Sequence, residues 1–173
     1  LKKTPDEHIS DILRNVQMAQ DRGFDVNVYL EDWSNGMKSS PDYVFSLVDA
    51  MKDAGIKRFM LPDTLGVLNP MLVIDYFRKM KSRYESLHFD FHAHNDYDLA
   101  VSNVLAAVWS GAKGLHTSIN GLGERAGNAP LASVQAILRD HFDAVTGIDE
   151  GKLNEVSHLV ESYSGIAIPP NKP

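Results

Sequence analysis

The stretch HFDFHAHND, residues 88–96, decides the fold. Phe89 and Phe91 alternate with Asp90, His92 and His94. A strand of period 2 therefore sets two aromatic rings on one side and a carboxylate with two imidazoles on the other. A parallel strand covered by helices on both faces should be apolar on both. This one has a polar second face. So do a strand expected over residues 25–32, through Asn27, Tyr29 and Glu31, and one over residues 114–120, through His116, Ser118 and Asn120. A strand at 57–61, closed by Pro62-Asp63-Thr64, completes a set of four. Around and between them, apolar spacing, Pro starts and Gly stops predict helices at 4–22, 40–55, 69–84, 99–110 and 130–142. One further helix is expected at 148–164, after a break at Thr146-Gly147.

Strand centres recur about every 30 residues, the length of a βαβ repeat. Two architectures fit, an open doubly wound sheet and part of a (β/α)8 barrel. Barrel enzymes keep polar site residues at the C-terminal ends of their strands, so the alternation favours the barrel. A whole barrel takes about 250 residues, so four units make half of one. The fold expected is α/β, the C-terminal half of a (β/α)8 TIM barrel over residues 1–147. The start of a helical subdomain and a Pro-rich exit linker follow over 148–173.

Composition narrows the function classes. The 173 residues carry a net charge of -6, with 17 Lys+Arg against 23 Asp+Glu and no basic run, which argues against a nucleic-acid binder. There is no cysteine, so disulfides, thiolate metal sites and a Cys nucleophile are excluded, and a reducing cytoplasm is the expected compartment. No apolar stretch is long enough for a membrane span. The chain opens at Leu1 rather than Met and stops at Pro173, which suggests a fragment of a longer protein.

Four local patterns carry chemistry. His92-Ala93-His94 turns two imidazoles the same way within reach of one ion, and with oxygen ligands such a pair suits Zn, Mn or Fe. The alternative is two polar core histidines bound to neighbouring carboxylates. Gly121-Leu122-Gly123-Glu124-Arg125-Ala126-Gly127-Asn128 follows a strand and precedes a helix. It is either an anion loop, its glycines permitting close backbone approach, or a surface turn in which Glu124 and Arg125 pair with each other. Glu31 ends a strand on the polar face, as an acid/base group if buried and otherwise as a strand-end acid in solvent. Thr64, in Pro62-Asp63-Thr64-Leu65-Gly66, offers a hydroxyl to a carboxylate, or is ordinary turn chemistry.

In combination, YLEDW (29–33), LPDTLGVL (61–68), HAHNDYDLAVSN (92–103) and GLGERAGN (121–128) resemble the metal-dependent Claisen-condensing synthases on a TIM barrel. That family includes 2-isopropylmalate, homocitrate and citramalate synthases, with the HMG-CoA lyases as cousins. The YLEDW form is most similar to bacterial citramalate synthase. The resemblance runs over nearly the whole chain.

The resemblance implies an acyltransferase of branched-chain amino-acid biosynthesis that joins acetyl-CoA to pyruvate or 2-oxoisovalerate. It also implies a divalent metal (Zn, Mn or Mg) and a homodimer in the full-length protein. Carried over residue by residue, His92, His94 and Asn128 hold the metal and Glu31 is catalytic. Thr64 binds the substrate carboxylate, Tyr29 lines the 2-oxo acid pocket, Asn95 lies at the substrate, and Glu124 faces acetyl-CoA. A ring at Tyr29 is expected to favour pyruvate over 2-oxoisovalerate, a discrimination of about 10–200-fold. The family's remaining metal ligand, an Asp in an Arg-Asp-Gly segment, and the Arg beside it have no counterpart here, so this piece alone is expected to be inactive. His158, on the last helix, is expected to be solvated. Two other readings are an HMG-CoA-lyase-like or aldolase-type C–C lyase and a non-catalytic half-barrel. The lyases carry a Cys in the glycine-rich loop, where this chain has Glu124 and no Cys at all.

Overall fold

The computed structural model describes residues 3–142 and 144–169. Four parallel strands lie in the order β1-β2-β3-β4. They are β1 (Val28–Tyr29), β2 (Arg58–Asp63), β3 (His88–Ala93) and β4 (Gly114–His116). Sequential order with right-handed crossovers places every connecting helix on the same face of the sheet. A doubly wound sheet would reverse its order and carry helices on both faces. The arrangement is therefore half of a (β/α)8 barrel, as expected.

The helices are α1 (Pro5–Gln20), α2 (Trp33–Ser39), α3 (Pro41–Asp53), α4 (Pro70–Arg83), α5 (Ala100–Trp109), α6 (Leu131–Phe142) and α7 (Leu153–Ser164). Thr4 and Glu7 close a capping box at the start of α1, and Asn69 caps α4 through Leu72 N–H. Both starts also carry Pro in the first turn, where a missing N–H costs nothing. Among the described residues no helix is long and apolar enough to cross a membrane.

The core lies between the sheet and these helices. Phe59, Leu61, Phe89 and Phe91 point to the helical side and are fully buried. They meet Val48 and Met51 of α3, Val73, Phe77 and Met80 of α4, and Val104 and Ala107 of α5. Phe77 meets Phe91 edge-on at 5.5 Å between ring centroids. Each fully buried aromatic or aliphatic side chain contributes about 1.5–3 kcal/mol. The opposite face carries Arg58, His88, Asp90, His92 and His116, so the barrel-interior side is polar.

Three elements differ from the sequence reading. The strand expected over 25–32 contracts to Val28–Tyr29, because its only strand partner among the described residues is β2. Glu31 therefore lies in a turn and is exposed, not buried on a strand. Helix α2 has no counterpart among the elements the sequence predicts. It is only seven residues long, and it forms because Trp33 and Met37 bury one face while Gly36 lets it approach α3. A Cβ on Gly36 would lie 2.9 Å from Val44 Cγ2. The strand expected over 114–120 stops at His116, and Ser118 instead pairs with the returning chain at Ala129 and Leu131.

Beyond α6, Gln135 bonds Thr146 at 2.6 Å and Glu150 at 3.1 Å, which ties down the connection to α7. Helix α7 rests on the turn after β4 through Asn120 Nδ2, which donates to Ser157 O at 3.0 Å. His158 on α7 is exposed and pairs with Glu161. Residues 170–173, the end of the expected exit linker, lie outside the described residues.

Candidate active site at the C-terminal ends of the strands

Strand pairing sets the imidazoles side by side. His92 aligns with His116 across β3 and β4, and with Pro62 across β2. The His92 and His94 rings meet edge-on at 4.8 Å between centroids. Tyr29 reaches over from β1, 6.0 Å from His92 and 5.9 Å from His116. The main chain of His94 bridges Asn128, and Asn95 N–H donates to Gly127 O at 2.9 Å. The glycine-rich loop is thus folded back onto the end of β3.

His92 Nδ1, His94 Nδ1 and Asn128 Oδ1 are buried here without a hydrogen-bond partner, as is Ser118 Oγ beyond β4. A buried polar atom left unpaired costs about 1–3 kcal/mol. Two imidazole nitrogens and an amide oxygen gathered without protein partners are a donor set for a divalent cation. Among the described residues no third His, Cys, Asp or Glu joins them. Burial, then the charges of His94 and His116, push the His92 imidazole down to about 4, which keeps it neutral at pH 7.

The alternative reading of histidines bound to carboxylates applies to their neighbours instead. His88 and His116 both reach Asp90, at 2.7 and 3.3 Å, and Arg58 Nε reaches it at 2.9 Å. The Asp90 side chain is fully enclosed. Burial raises its pKa, but the hydrogen bonds from Arg58 and His88 and the Arg58 charge outweigh that and hold the carboxyl below its usual range. Gly114 leaves the space it needs, since a Cβ there would collide with Asp90 Oδ1. This network carries no sequence motif. Arg58 and His116 come from the neighbouring strands, so only the pairing register brings them to Asp90, whereas His88 sits two residues away on β3 itself.

The remaining expected site residues fall on the same rim in different roles. Thr64 Oγ1 accepts from Asp32 N–H at 2.9 Å. The turn after β2 is closed by Asp63, whose carboxylate accepts from Val67 and Leu68 N–H, each at 3.0 Å. Burial still raises the Asp63 pKa above the ordinary value. Asn95 spends its side chain at the start of α5, accepting from Ala100 N–H and donating to Asp98, each at 3.0 Å. Glu124 is exposed and touches Arg125 only at 3.5 Å. Arg125 turns instead to Asp96, donating at 2.7 and 2.9 Å. That bond comes first among the causes that lower the Asp96 pKa. Burial, then the Glu31 charge, pushes the Tyr29 phenol up to about 12.

The family model described as HMGL-like matches residues 1–160. The chain is 44% identical over 170 residues to a homocitrate synthase of Sulfolobus acidocaldarius, covering 98% of this chain and 36% of that protein. It is 38% identical over 170 residues to a homocitrate synthase of Sulfurisphaera tokodaii, with the same coverage. The chain thus spans about a third of the length of these relatives. Among solved structures, an HMG-CoA lyase of Bacillus subtilis superposes with a TM-score of 0.84 at 22% identity, over 98% of this chain and 59% of that one. An HMG-CoA lyase of Acinetobacter baumannii, in complex with coenzyme A and 3-methylmalate, gives a TM-score of 0.78 at 25% identity, over 98% of this chain and 58% of that one.

Proposed function

Because the chain belongs to the HMGL-like family, we propose that it forms the C-terminal half of the catalytic barrel of a synthase that condenses acetyl-CoA with a 2-oxo acid. The observation that carries this reading is the trio of buried, unpartnered atoms His92 Nδ1, His94 Nδ1 and Asn128 Oδ1 at the strand ends. These residues would hold a divalent metal. Bound there, it supplies Lewis-acid polarisation of the 2-oxo acid's carbonyl.

The chain's own residues do the rest. The neutral His92 keeps a lone pair for bonding at pH 7. Thr64 Oγ1 already accepts Asp32 N–H, so its hydroxyl hydrogen remains to orient a substrate carboxylate. Glu31 is exposed in the turn after β1 rather than buried, and its place beside Tyr29 at the rim of the site is what supports the proton-handling role we assign it. Glu124, on the exposed edge of the glycine-rich loop, faces acetyl-CoA. Beside that loop, the Gly121–Gly123 main chain and Val160, Ile166 and Ile168 form a cleft.

For the acceptor we favour pyruvate, hence a citramalate-type synthase. The Tyr29 ring stands against His92 and His116 as an aromatic wall, which supports a preference for a small side chain over a branched one. A homocitrate-type synthase would bind a second carboxylate. On this face Arg58 and Arg125 are already engaged by Asp90 and Asp96.

The test is CoA thiol release from acetyl-CoA with Mn, Mg or Zn. It uses the polypeptide that completes the barrel, with the 173-residue chain as control. Release with pyruvate favoured is the expected result, and His92→Ala or His94→Ala should lower it by more than about 100-fold. Preference for 2-oxoisovalerate would make this a 2-isopropylmalate synthase and remove the Tyr29 argument. Preference for 2-oxoglutarate would make it a homocitrate synthase. No release with any 2-oxo acid, together with cleavage of a 3-hydroxyacyl-CoA, would replace the synthase with a lyase.

A further inference from the structure

One guanidinium joins the ends of three successive strands. Arg125, in the loop after β4, donates from Nε to Asp96 Oδ1 at 2.7 Å and from Nη2 to Asp96 Oδ2 at 2.9 Å, two bonds on one carboxylate beyond β3. The same Nη2 donates to the main-chain carbonyl of Thr64, beyond β2, at 2.7 Å. The backbone on each side is shaped to allow this. Arg125 holds φ 56°, a conformation that non-glycine residues rarely adopt. Gly66, at φ 60°, lets the β2 turn press onto Asp96, since a Cβ would lie 2.9 Å from Asp96 Cβ. Gly123 does the same for Asn128, where a Cβ would lie 2.8 Å from Cγ.

The junction spans the two halves of the candidate site. Thr64 stands at one end, and Asn128 follows Arg125 by one short turn at the other. We propose that Arg125 is a positioning residue that holds the substrate-carboxylate turn at Thr64 in register with the metal-side loop at Asn128. The contact geometry stands by itself, and the kinetic consequence rests on the synthase reading above. A planar fork is required, because one nitrogen pair must engage both carboxylate oxygens while Nη2 also reaches a carbonyl. Lysine keeps the charge but has no such fork.

The test compares Arg125→Lys and Arg125→Gln with the parent in the barrel-complete polypeptide. By hydrogen–deuterium exchange, amides at 64–68 and 121–128 should exchange about tenfold faster in both variants, while the β2–β3 ladder is unchanged. In steady state, both variants should raise KM for the 2-oxo acid about tenfold, with kcat changed less than about threefold. The KM for acetyl-CoA should rise less, since Glu124 shares the loop but holds Arg125 only at 3.5 Å. Unchanged exchange in the two loops would overturn the proposal. So would faster exchange with both KM values unmoved, because the contact would then serve stability alone. If Arg125→Gln fails to fold, Asp96→Asn is the second variant. It should loosen both loops, and parental exchange in it would equally overturn the proposal. Failure of the parent to turn over any 2-oxo acid would remove the synthase reading. Zn²⁺ affinity by calorimetry would then decide: a loss of about tenfold in Arg125→Lys supports the positioning role, and parental affinity refutes it.

Discussion

His92 sits where burial and two neighbouring imidazoles all oppose a proton, and its pKa falls to about 4 from an ordinary value near 6.5. Between those values the unfolded chain binds more protons at this residue than the folded one. Stability therefore rises with pH across that window and is lost as pH falls from 6.5 towards 4. The expected result is an imidazole that stays neutral down to pH 5 by NMR in the metal-free protein. The urea midpoint should decline over the same range, and less so in His92→Gln. Titration of His92 near 6.5 would refute its enclosure. Period 2 alone puts His92 and His94 on one face. Their freedom from carboxylates was not legible, because the nearest acid on the face, Asp90, is claimed from neighbouring strands by Arg58 and His116.

At the scale of elements, the sheet is held to its helices by aromatic contacts made between strand and helix. Phe91, fully buried, meets Phe77 of α4 at 5.5 Å. Phe91→Ala should cost about 3–5 kcal/mol, read as a lower urea midpoint with little change in slope. A loss below about 1 kcal/mol would mean that the helical layer is not anchored there. Long elements with a full periodic face, such as α1, α3, α4 and β3, follow their sequence patterns closely. The short ones do not. Helix α2 has only Trp33 and Met37 at helical spacing, too few to define a period. It exists because Trp33 finds a slot between Tyr76 and Phe77, 6.0 and 5.7 Å away.

For the whole molecule, both β1 and β4 are edge strands, each paired on one side only among the described residues. Unpaired edges template association. The 19.2 kDa chain alone should therefore elute from size exclusion with light scattering above its monomer mass, increasingly so with concentration. A clean monomer would show that these edges are protected. Solvent-driven collapse of the open face should contribute little, since that face is lined by Arg58, His88, Asp90, His92 and His116 rather than by aliphatic side chains.

The βα order, the half-barrel class and the polar face bearing His92 and His94 were determined by the sequence itself. Hydrophobic period and glycine–proline punctuation are local properties, and a run of six to sixteen residues suffices to express them. Only the tertiary structure decided which polar groups are satisfied. Asp90 is taken by Arg58, His88 and His116, and Arg125 chooses Asp96 and Thr64 over adjacent Glu124. His92, His94 and Asn128 are left with unpartnered buried atoms. Apart from His88, two residues from Asp90, these partners meet through strand register and loop ends across more than twenty residues of chain, distances over which a linear pattern carries no information about contact.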